Sequence, residues 1–224
     1  MQAQLDHLVV AARSLAEGIA WCREMLGFEP VAGGEHPLMG THNRVFALGG
    51  TAYPRAYFEI IAIDPAAPRP AHARWFDLDT EAMHAALARR PRLVHFVAAS
   101  NDAAGAVAAL AEFGIERGPL VAAERNTPAG LLRWKISVRH DGARLFDGAL
   151  PTLIQWDSPH PADSLPASGI ALASLAATHP DAARLRQAFG AIGLRHVAVQ
   201  EGPANLVAEL DTPRGRVRLE SQGA

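Results

Sequence analysis

Two histidines occupy matching places in two apolar segments of the 224-residue chain. His7 is the third residue of LDHLVV and His95 is the third residue of LVHFVA. Short apolar, β-branched runs of this kind predict buried strands, in which alternate side chains share a face. We therefore expect each histidine to share a face with the apolar residues two positions away: Leu5 and Val9 for His7, and Leu93 and Val97 for His95. The two imidazoles converge if the two segments pack about a pseudo-twofold axis.

A carboxylate and an amide stand at matching places further along the chain. Glu59 lies within the apolar run AYFEII, and Gln155 lies within TLIQW. An ionised carboxylate inside an apolar strand is costly unless it is paired or bound to a metal. Together with His7 and His95, these side chains form a plausible ligand set for a divalent transition metal, with positions left for water or substrate. The sequence leaves the metal open among Zn, Ni, Co, Mn and Fe.

Each of these residues also has a purely structural interpretation. A lone histidine such as His7 on an apolar strand is more often a hydrogen-bonded core residue than a ligand, and Glu59 alone fits an edge-strand or salt-bridged residue. The matching His95 raises the weight of the metal interpretation. The alternative is a degenerate site in a binding protein of the same fold.

The elements that position these residues are repeated along the chain. Ser14 with Glu17 fits a helix start and Gly27 fits a helix stop, so the first unit is a strand, a helix and three strands. A second unit repeats this order, with Gly114 in the place of Gly27, and a third begins near residue 170. The repeat predicts an α+β fold of βαβββ modules whose curved mixed sheets surround a cleft, with a third, degenerate module.

The boundaries of the units follow from this repeat. We place the modules at residues 1–62, 92–157 and 168–221, and a Pro-rich connector with a short helix at residues 63–91. In the third module Ala173 or Ser174 stands where the histidine would be, and its last strand keeps Glu220, which we expect to face solvent. We expect this module to be structural and either to cover a sheet edge or to serve a homodimer contact.

The paired modules resemble the vicinal oxygen chelate superfamily over residues 1–62 and 92–157. The stretch HPLMGTHNRVFALGG, with AYFEIIAID and RWFDLD after it, resembles more narrowly the glyoxalase-like domain branch. The resemblance implies metal ligands on the first and last strands of each module, at His7, Glu59, His95 and Gln155. It also implies catalytic roles for Glu59 and Gln155, either of which would leave the metal, with Glu59 shuttling a proton. Gln155 departs from the acidic residue that is more usual at its position.

Polar residues near the predicted site are candidates for substrate contacts. A polar loop over residues 35–44 offers Thr41, His42, Asn43 and Arg44, and a strand of the second module offers Arg133 and Lys135. Alternation puts Trp134 on the face opposite Arg133 and Lys135, and Trp156 opposite Gln155, so we expect Trp156 to pack outside the cleft. We do not expect His140, His160 and His179 to act as metal ligands as a group.

With these residues, the resemblance implies a metal-dependent lyase or isomerase that acts on a small oxygenated molecule through bidentate chelation. Two other classes stay open. One is a non-haem iron dioxygenase of the extradiol type that uses His7, His95 and one carboxylate. The other is a non-catalytic binding or resistance protein that holds a small ligand in the same cleft.

Composition limits the classes of binding partner and the cellular compartment that we expect for this protein. The formal net charge is −2 and no basic block is present, so we expect neither nucleic acid nor an anionic membrane as a partner. Cys22 is the single cysteine, which excludes a disulfide within the chain. The first residues do not fit a signal peptide and no apolar run could span a bilayer, so we expect a cytoplasmic protein.

Overall fold

A computed structural model describes residues 2–128 and 130–222 of the chain. The first βαβββ unit consists of β1 (Ala3–Ala11), α1 (Leu15–Leu26), β2 (Val31–His36), β3 (Thr41–Gly49) and β4 (Tyr57–Ile63). A connector that carries α2 (Glu81–Leu87) leads to the second unit: β5 (Arg92–Ser100), α3 (Ala103–Glu112), β6 (Leu120–Thr127), β7 (Gly130–Ser137) and β8 (Thr152–Trp156). The third unit consists of β9 (Ala167–His179), α4 (Ala182–Ala191), β10 (Val197–Glu201), β11 (Asn205–Thr212) and β12 (Gly215–Glu220). This order confirms the predicted α+β fold with three βαβββ repeats.

The strands of all three units belong to one mixed sheet. Its order is β12-β11-β9-β3-β4-β1-β5-β8-β7-β6, with β10 added beside β9 and β2 beside β3. In each of the first two units the first strand pairs in parallel with the last, and the antiparallel pair β1–β5 joins the units. The third unit continues the sheet through a short parallel contact between β3 and β9.

None of the helices in residues 2–128 and 130–222 combines the length and the apolar character that a membrane span requires.

The helix ends follow the residues that predict them. The Ser14 hydroxyl accepts a hydrogen bond from the Glu17 backbone N–H at the start of α1, and Gly27 ends the helix in the left-handed conformation. Leu15, Cys22 and Leu26 of α1 belong to a large apolar cluster that also contains buried residues of α3 and α4. A second cluster holds the apolar residues of the opposite sheet face, and α2 packs there through Met83 and Leu87.

A β-bulge precedes each of the two matching histidines. Along the β1–β5 pair the register passes from Leu5 opposite Ala98 directly to His7 opposite Val97, so Asp6 is an extra residue on β1. Further along, Val94 is the extra residue on β5, next to His95. A bulge places neighbouring side chains on the same face of a strand, which interrupts the alternation.

These bulges correct the predicted face partners of both histidines. Leu5 and Leu93 pack in the helix-side cluster, whereas Val9, Val94 and Val97 pack in the cluster of the opposite face. His7 therefore shares its face with Val9 but not with Leu5. His95 shares its face with Val97 but not with Leu93. The expectation of strict alternation was wrong at these two places because each strand contains one extra residue.

Gly18 lets α1 lie close to the strand that carries Glu59. A Cβ added at Gly18 would come within 2.4 Å of Ile60 Cγ2 and 3.1 Å of Ala12 Cβ. Ile60 is fully buried and β-branched, so its methyl group cannot move aside cheaply. Ile60 thus faces α1. Because side chains alternate along β4, the adjacent Glu59 points to the opposite face of the sheet.

We expect Gly18→Ala to destabilise the protein although alanine is the better helix former. Overpacking costs about 1–3 kcal/mol, which exceeds the gain of about 1 kcal/mol in helix propensity. Gly190→Ala is the matched control, because Gly190 lies in α4 with no heavy atom within 4 Å of its added Cβ. Urea unfolding of both variants tests this prediction. A Gly18→Ala protein that is as stable as the control variant would contradict it.

Candidate functional site

A cavity of about 350 Å³ lies on the sheet face opposite α1, α3 and α4, and residues of the first two units line it. Its walls are mainly aromatic and apolar: Tyr57, Trp75, Phe76, Trp134, Ile136, Ile154 and Trp156 are among them. A few polar side chains face it as well, namely His7, His36, Asn43, Glu59 and Arg125. A concave apolar space with few polar groups is typical of small-molecule sites.

A buried carboxylate at the bulge of β1 organises the polar end of this cavity. Asp6 accepts hydrogen bonds from His7 Nδ1 at 2.6 Å, Trp156 Nε1 at 2.7 Å and His160 Nε2 at 2.9 Å. Burial alone would raise the pKa of Asp6, but the hydrogen bonds from His160 and His7 outweigh it and hold the pKa well below its usual range. Asp6 is therefore ionised at neutral pH.

His7 lies between two carboxylates. Its Nδ1–H donates to Asp6, and its Nε2 lies 3.6 Å from Glu59 Oε2. Its ring stacks on Tyr57 with the ring centroids 4.4 Å apart. Burial would lower the pKa of His7, but the interactions with Asp6 and Glu59 outweigh burial and raise the pKa to about 9. His7 is therefore an imidazolium at neutral pH.

Glu59 is held by a chain of hydrogen bonds from β2 and β3. Gly34 N–H donates to Asn43 Oδ1 at 2.7 Å, which turns Asn43 Nδ2 toward Glu59 Oε1 at 2.6 Å. Burial would raise the pKa of Glu59, but His7 and Asn43 lower it by more, so the net shift is downward. The result is a carboxylate beside an imidazolium at the cavity wall.

His36 is a second imidazole at this wall, in a different state of charge. Its Nδ1 lies 3.1 Å from Thr41 Oγ1, and its Nε2 accepts from Asn43 Nδ2 at 3.4 Å. Burial lowers the pKa of His36 to about 4, and the attraction of Glu59 only partly offsets this. His36 is therefore neutral at neutral pH, because it has no carboxylate as close as Asp6 is to His7.

His95, the sequence counterpart of His7, is fully engaged elsewhere. Its Nδ1–H donates to the Gly148 carbonyl at 2.9 Å, and its Nε2 accepts the Thr152 backbone N–H at 3.0 Å. The Phe76 ring packs against it with the centroids 5.0 Å apart. Burial and the nearby cations Arg117 and Arg144 lower the pKa of His95 well below its usual value. His95 is a neutral core histidine beside a separate cavity of about 10 Å³.

Gln155 points to the helix side of the sheet. Its Oε1 accepts the Ala103 backbone N–H at 3.1 Å, at the start of α3. Ile154 and Trp156, its neighbours on β8, line the cavity instead. Gln155 and Trp156 lie on opposite faces of β8, as predicted. The prediction of which face holds the cavity was wrong, because Trp156 lines the cavity and Gln155 lies outside it.

The predicted ligand set is therefore not assembled. His7 and Glu59 come together, whereas His95 and Gln155 are turned to other partners. Across residues 2–128 and 130–222, no group of three or more His, Cys, Asp or Glu side chains could hold a metal ion. The residues present do not fit a divalent metal bound by these four side chains.

The predicted polar loop at residues 35–44 is largely strand. His36 ends β2 and Thr41 begins β3, and the two strands form a hairpin around a turn at residues 37–40. Of the four proposed substrate contacts in this stretch, Asn43 faces the cavity. Thr41 is buried beside His36, while His42 lies 3.8 Å from Asp64 and Arg44 donates to the Asn43 carbonyl, both outside the cavity lining.

The two basic residues proposed on β7 also lie outside the cavity. Arg133 pairs with Glu124 at 3.4 Å and Lys135 with Asp157 at 3.1 Å, and all four side chains are exposed. Trp134 lies between them in sequence and lines the cavity. Alternation along β7 is thus observed, and it brings the tryptophan rather than the two cations to the site.

Several site residues were not identified from the sequence: Asp6, His36, Tyr57, Arg125 and His160. Asp6 carried a usable signal, since an acidic residue stands directly beside His7 inside an apolar strand. His160 carried none, because it is 154 positions from the carboxylate that it contacts. The sequence does not predict His160 as a metal ligand, and the structure gives it another role. It instead donates to Asp6, with its Nδ1 accepting the Ala162 N–H.

The raised pKa of His7 predicts an alkaline loss of stability. The ordinary value is 6.5 and the folded value is about 9, so the stabilisation is fully present below pH 6.5 and is lost as the pH rises through 9. Between pH 6.5 and 8.5 we expect the free energy of unfolding to fall by about 2 kcal/mol more in the wild type than in His7→Gln. Urea unfolding at several pH values measures this, and His196→Gln, at an exposed position, is the control. Equal slopes for the wild type and His7→Gln would refute the assignment.

The hydrogen bonds of His95 predict weak metal retention. After loading with Zn²⁺ or Mn²⁺ and desalting, we expect the protein to keep well below one equivalent, because both ring nitrogens of His95 already have partners. Elemental analysis by plasma mass spectrometry gives the ratio. Retention of one equivalent that disappears in the His7→Ala/His95→Ala double variant would show that the four-ligand site forms after all.

Several solved structures match the chain, and one of them shows similarity in fold over nearly the whole chain. A hypothetical protein from Staphylococcus aureus superposes with a TM-score of 0.59 at 12% identity, over 98% of this chain and 85% of that one. Methylmalonyl-CoA epimerase from Mycobacterium tuberculosis gives a TM-score of 0.39 at 17% identity, over 71% of this chain and 91% of that one. A Streptomyces coelicolor methylmalonyl-CoA epimerase in complex with 2-nitronate-propionyl-CoA gives a TM-score of 0.42 at 15% identity. The match covers 70% of this chain and 100% of that one.

Comparison at the level of families is more specific. No curated protein matches the chain. The glyoxalase-like domain, by contrast, matches residues 5–193, which include the first two βαβββ units and the beginning of the third. The chain belongs to the glyoxalase-like domain family.

Proposed function

We propose that this protein is an acid–base enzyme, an isomerase or a lyase, that acts on a small flat oxygenated molecule held in the aromatic cavity. The observation that carries the proposal is the pair of Glu59 and His7, whose charged groups lie 3.6 Å apart at the cavity wall. At neutral pH the carboxylate can accept a proton and the imidazolium can donate one. Both groups are thus in the protonation state that their roles need.

The pair suits removal of a proton from carbon next to a carbonyl group. The Glu59 carboxylate takes the proton, and the electron pair of the C–H bond moves to the carbonyl oxygen. The oxyanion that develops accepts a hydrogen bond from His7 Nε2–H, and Asp6 keeps the imidazole charged and correctly turned. The Glu59 carboxyl group then returns the proton to the same carbon after the bound enolate has turned its other face toward Glu59, and the electron pair moves back from the oxygen to form the new C–H bond. This completes an epimerisation with all atoms accounted for.

The surrounding residues support these roles. Asn43 orients Glu59 through Oε1, which leaves Oε2 toward His7. Trp75, Trp134 and Trp156 offer flat apolar surfaces to an unsaturated substrate, and they exclude water that would compete for the proton. Metal chelation by the four predicted ligands in a lyase would require His95 and Gln155 to give up their hydrogen bonds, and the iron dioxygenase alternative would require the same of His95, so the proposed mechanism uses no metal.

The apolar character of the walls favours a second candidate, a non-catalytic protein that sequesters a flat ligand. Such a protein would use the same tryptophans and would need neither Glu59 nor His7 for chemistry. The two candidates differ in one respect that can be measured, which is whether a bound carbonyl compound exchanges protons with solvent.

We expect the protein to accelerate hydrogen–deuterium exchange at C3 of 4-phenyl-2-oxobutanoate in D₂O, followed by proton NMR. Glu59→Gln should lower the exchange rate by about 100-fold or more, because it removes the base. Glu24→Gln, at an exposed position of α1, should leave the rate unchanged. In the wild type the rate should fall as the pH rises through about 9, where His7 loses its proton.

Binding of the probe without exchange above the protein-free rate would reject the enzyme and support the sequestering protein. Calorimetric titration of the same compound supplies the binding measurement. Exchange that persists undiminished in Glu59→Gln would reject the assigned base.

A further inference from the structure

Arg125 is a cation at the cavity wall without an acidic partner. Other arginines near this end of the molecule are paired: Arg133 with Glu124, and Arg74 with Asp79. Within residues 2–128 and 130–222, Arg125 forms neither an ion pair nor a side-chain hydrogen bond, and its Nε atom is buried without an acceptor. A buried donor without an acceptor is unfavourable, so a ligand that supplies an acceptor gains affinity from it.

The first unit leaves room for the Arg125 side chain. A Cβ at Gly34 on β2 would come within 2.2 Å of Arg125 Nη1 and 2.5 Å of its Cδ. A Cβ at the neighbouring Gly33 would overlap Asn43 Oδ1 at 1.9 Å. The glycine pair thus lets a guanidinium from β6 of the second unit lie against β2 of the first, on the wall that also carries Asn43.

The charged groups of the cavity wall are one acidic cluster and one arginine. Asp6, His7 and Glu59 together carry a net charge of about −1 at neutral pH, which disfavours an anionic group beside them. Burial is the main cause of the lowered pKa of His36 and of the raised pKa of Tyr57, and the Arg125 charge adds to the first shift and opposes the second, so the guanidinium lies near both rings. Of the side chains that line the cavity in the described chain, Arg125 is the one whose charge is permanent.

We propose that the substrate carries a carboxylate, bound by Arg125, on a flat apolar body that lies between the tryptophans. A guanidinium matches a carboxylate through two parallel hydrogen bonds. A phosphate would need further donors, and the Thr127 hydroxyl next to Arg125 already donates to the Gly130 carbonyl at 2.7 Å. The inference rests on the proposed use of this cavity, and it adds the class of substrate: an aromatic or similarly flat carboxylic acid.

Calorimetry with two matched probes, 2-naphthoate and 2-naphthamide, tests this inference. The probes have the same ring system and differ in the charge of one group. We expect wild-type protein at pH 7 to bind the naphthoate at least tenfold more tightly. Arg125→Gln should remove this preference and leave the naphthamide affinity within twofold. Arg133→Gln, which changes an exposed arginine of the adjacent strand, should behave as wild type.

The outcomes separate this inference from the function on which it rests. Equal affinity for the two probes in the wild type, or a preference for naphthoate that survives in Arg125→Gln, overturns the carboxylate assignment and leaves the cavity function in place. Failure of both probes to bind overturns the use of the cavity itself, and the carboxylate assignment falls with it.

Discussion

The buried Asp6 carboxylate is the interaction on which the site depends. A lone charge at this depth would be strongly unfavourable, and three donors from separate parts of the chain compensate for it. His7 is its neighbour in sequence, whereas Trp156 ends β8 and His160 follows in the next turn. The carboxylate therefore joins the two units at the cavity and at the same time sets the charge of His7. Because His7 is charged, Glu59 stays ionised beside it.

The two βαβββ units share a geometry but not a chemistry. Each has a bulge before its histidine, formed by Asp6 in one unit and Val94 in the other. With a carboxylate beside it, His7 is an imidazolium. With valine beside it, and with Arg117 and Arg144 nearby, His95 stays neutral and donates to a backbone carbonyl. The different residues at these equivalent positions, Asp6 and Val94, thus accompany a charged histidine in one unit and a neutral histidine in the other.

Local signals in the sequence predicted the elements well, because they act over a few residues. Ser14 and Gly27 mark the ends of α1 through hydrogen bonds and a backbone angle that depend on adjacent positions. The repeat also led correctly to His7 and Glu59 as neighbours. It could not show that His95 would find partners in Gly148 and Thr152, since these contacts form only after the chain has folded.

The faces of the strands were harder to predict than the strands themselves. Alternation tells which residues oppose each other, such as Gln155 and Trp156, but an amphipathic pattern does not tell which face holds the cavity when both faces are buried. The same limit hid Arg125, because the sequence does not show which face of its strand the side chain occupies. Its importance comes from Gly34 on another unit, 91 positions away, which leaves space for the guanidinium.

The bulge on β1 makes the contact between Asp6 and His7 independent of the register between strands. Asp6 and His7 are joined by a peptide bond, so the tautomer and orientation of the imidazole are determined within one dipeptide. The separation of His7 and Glu59 depends instead on the parallel register of β1 and β4. A change in the spacing of β1 and β4 would therefore alter the distance between His7 and Glu59 without breaking the hydrogen bond between Asp6 and His7.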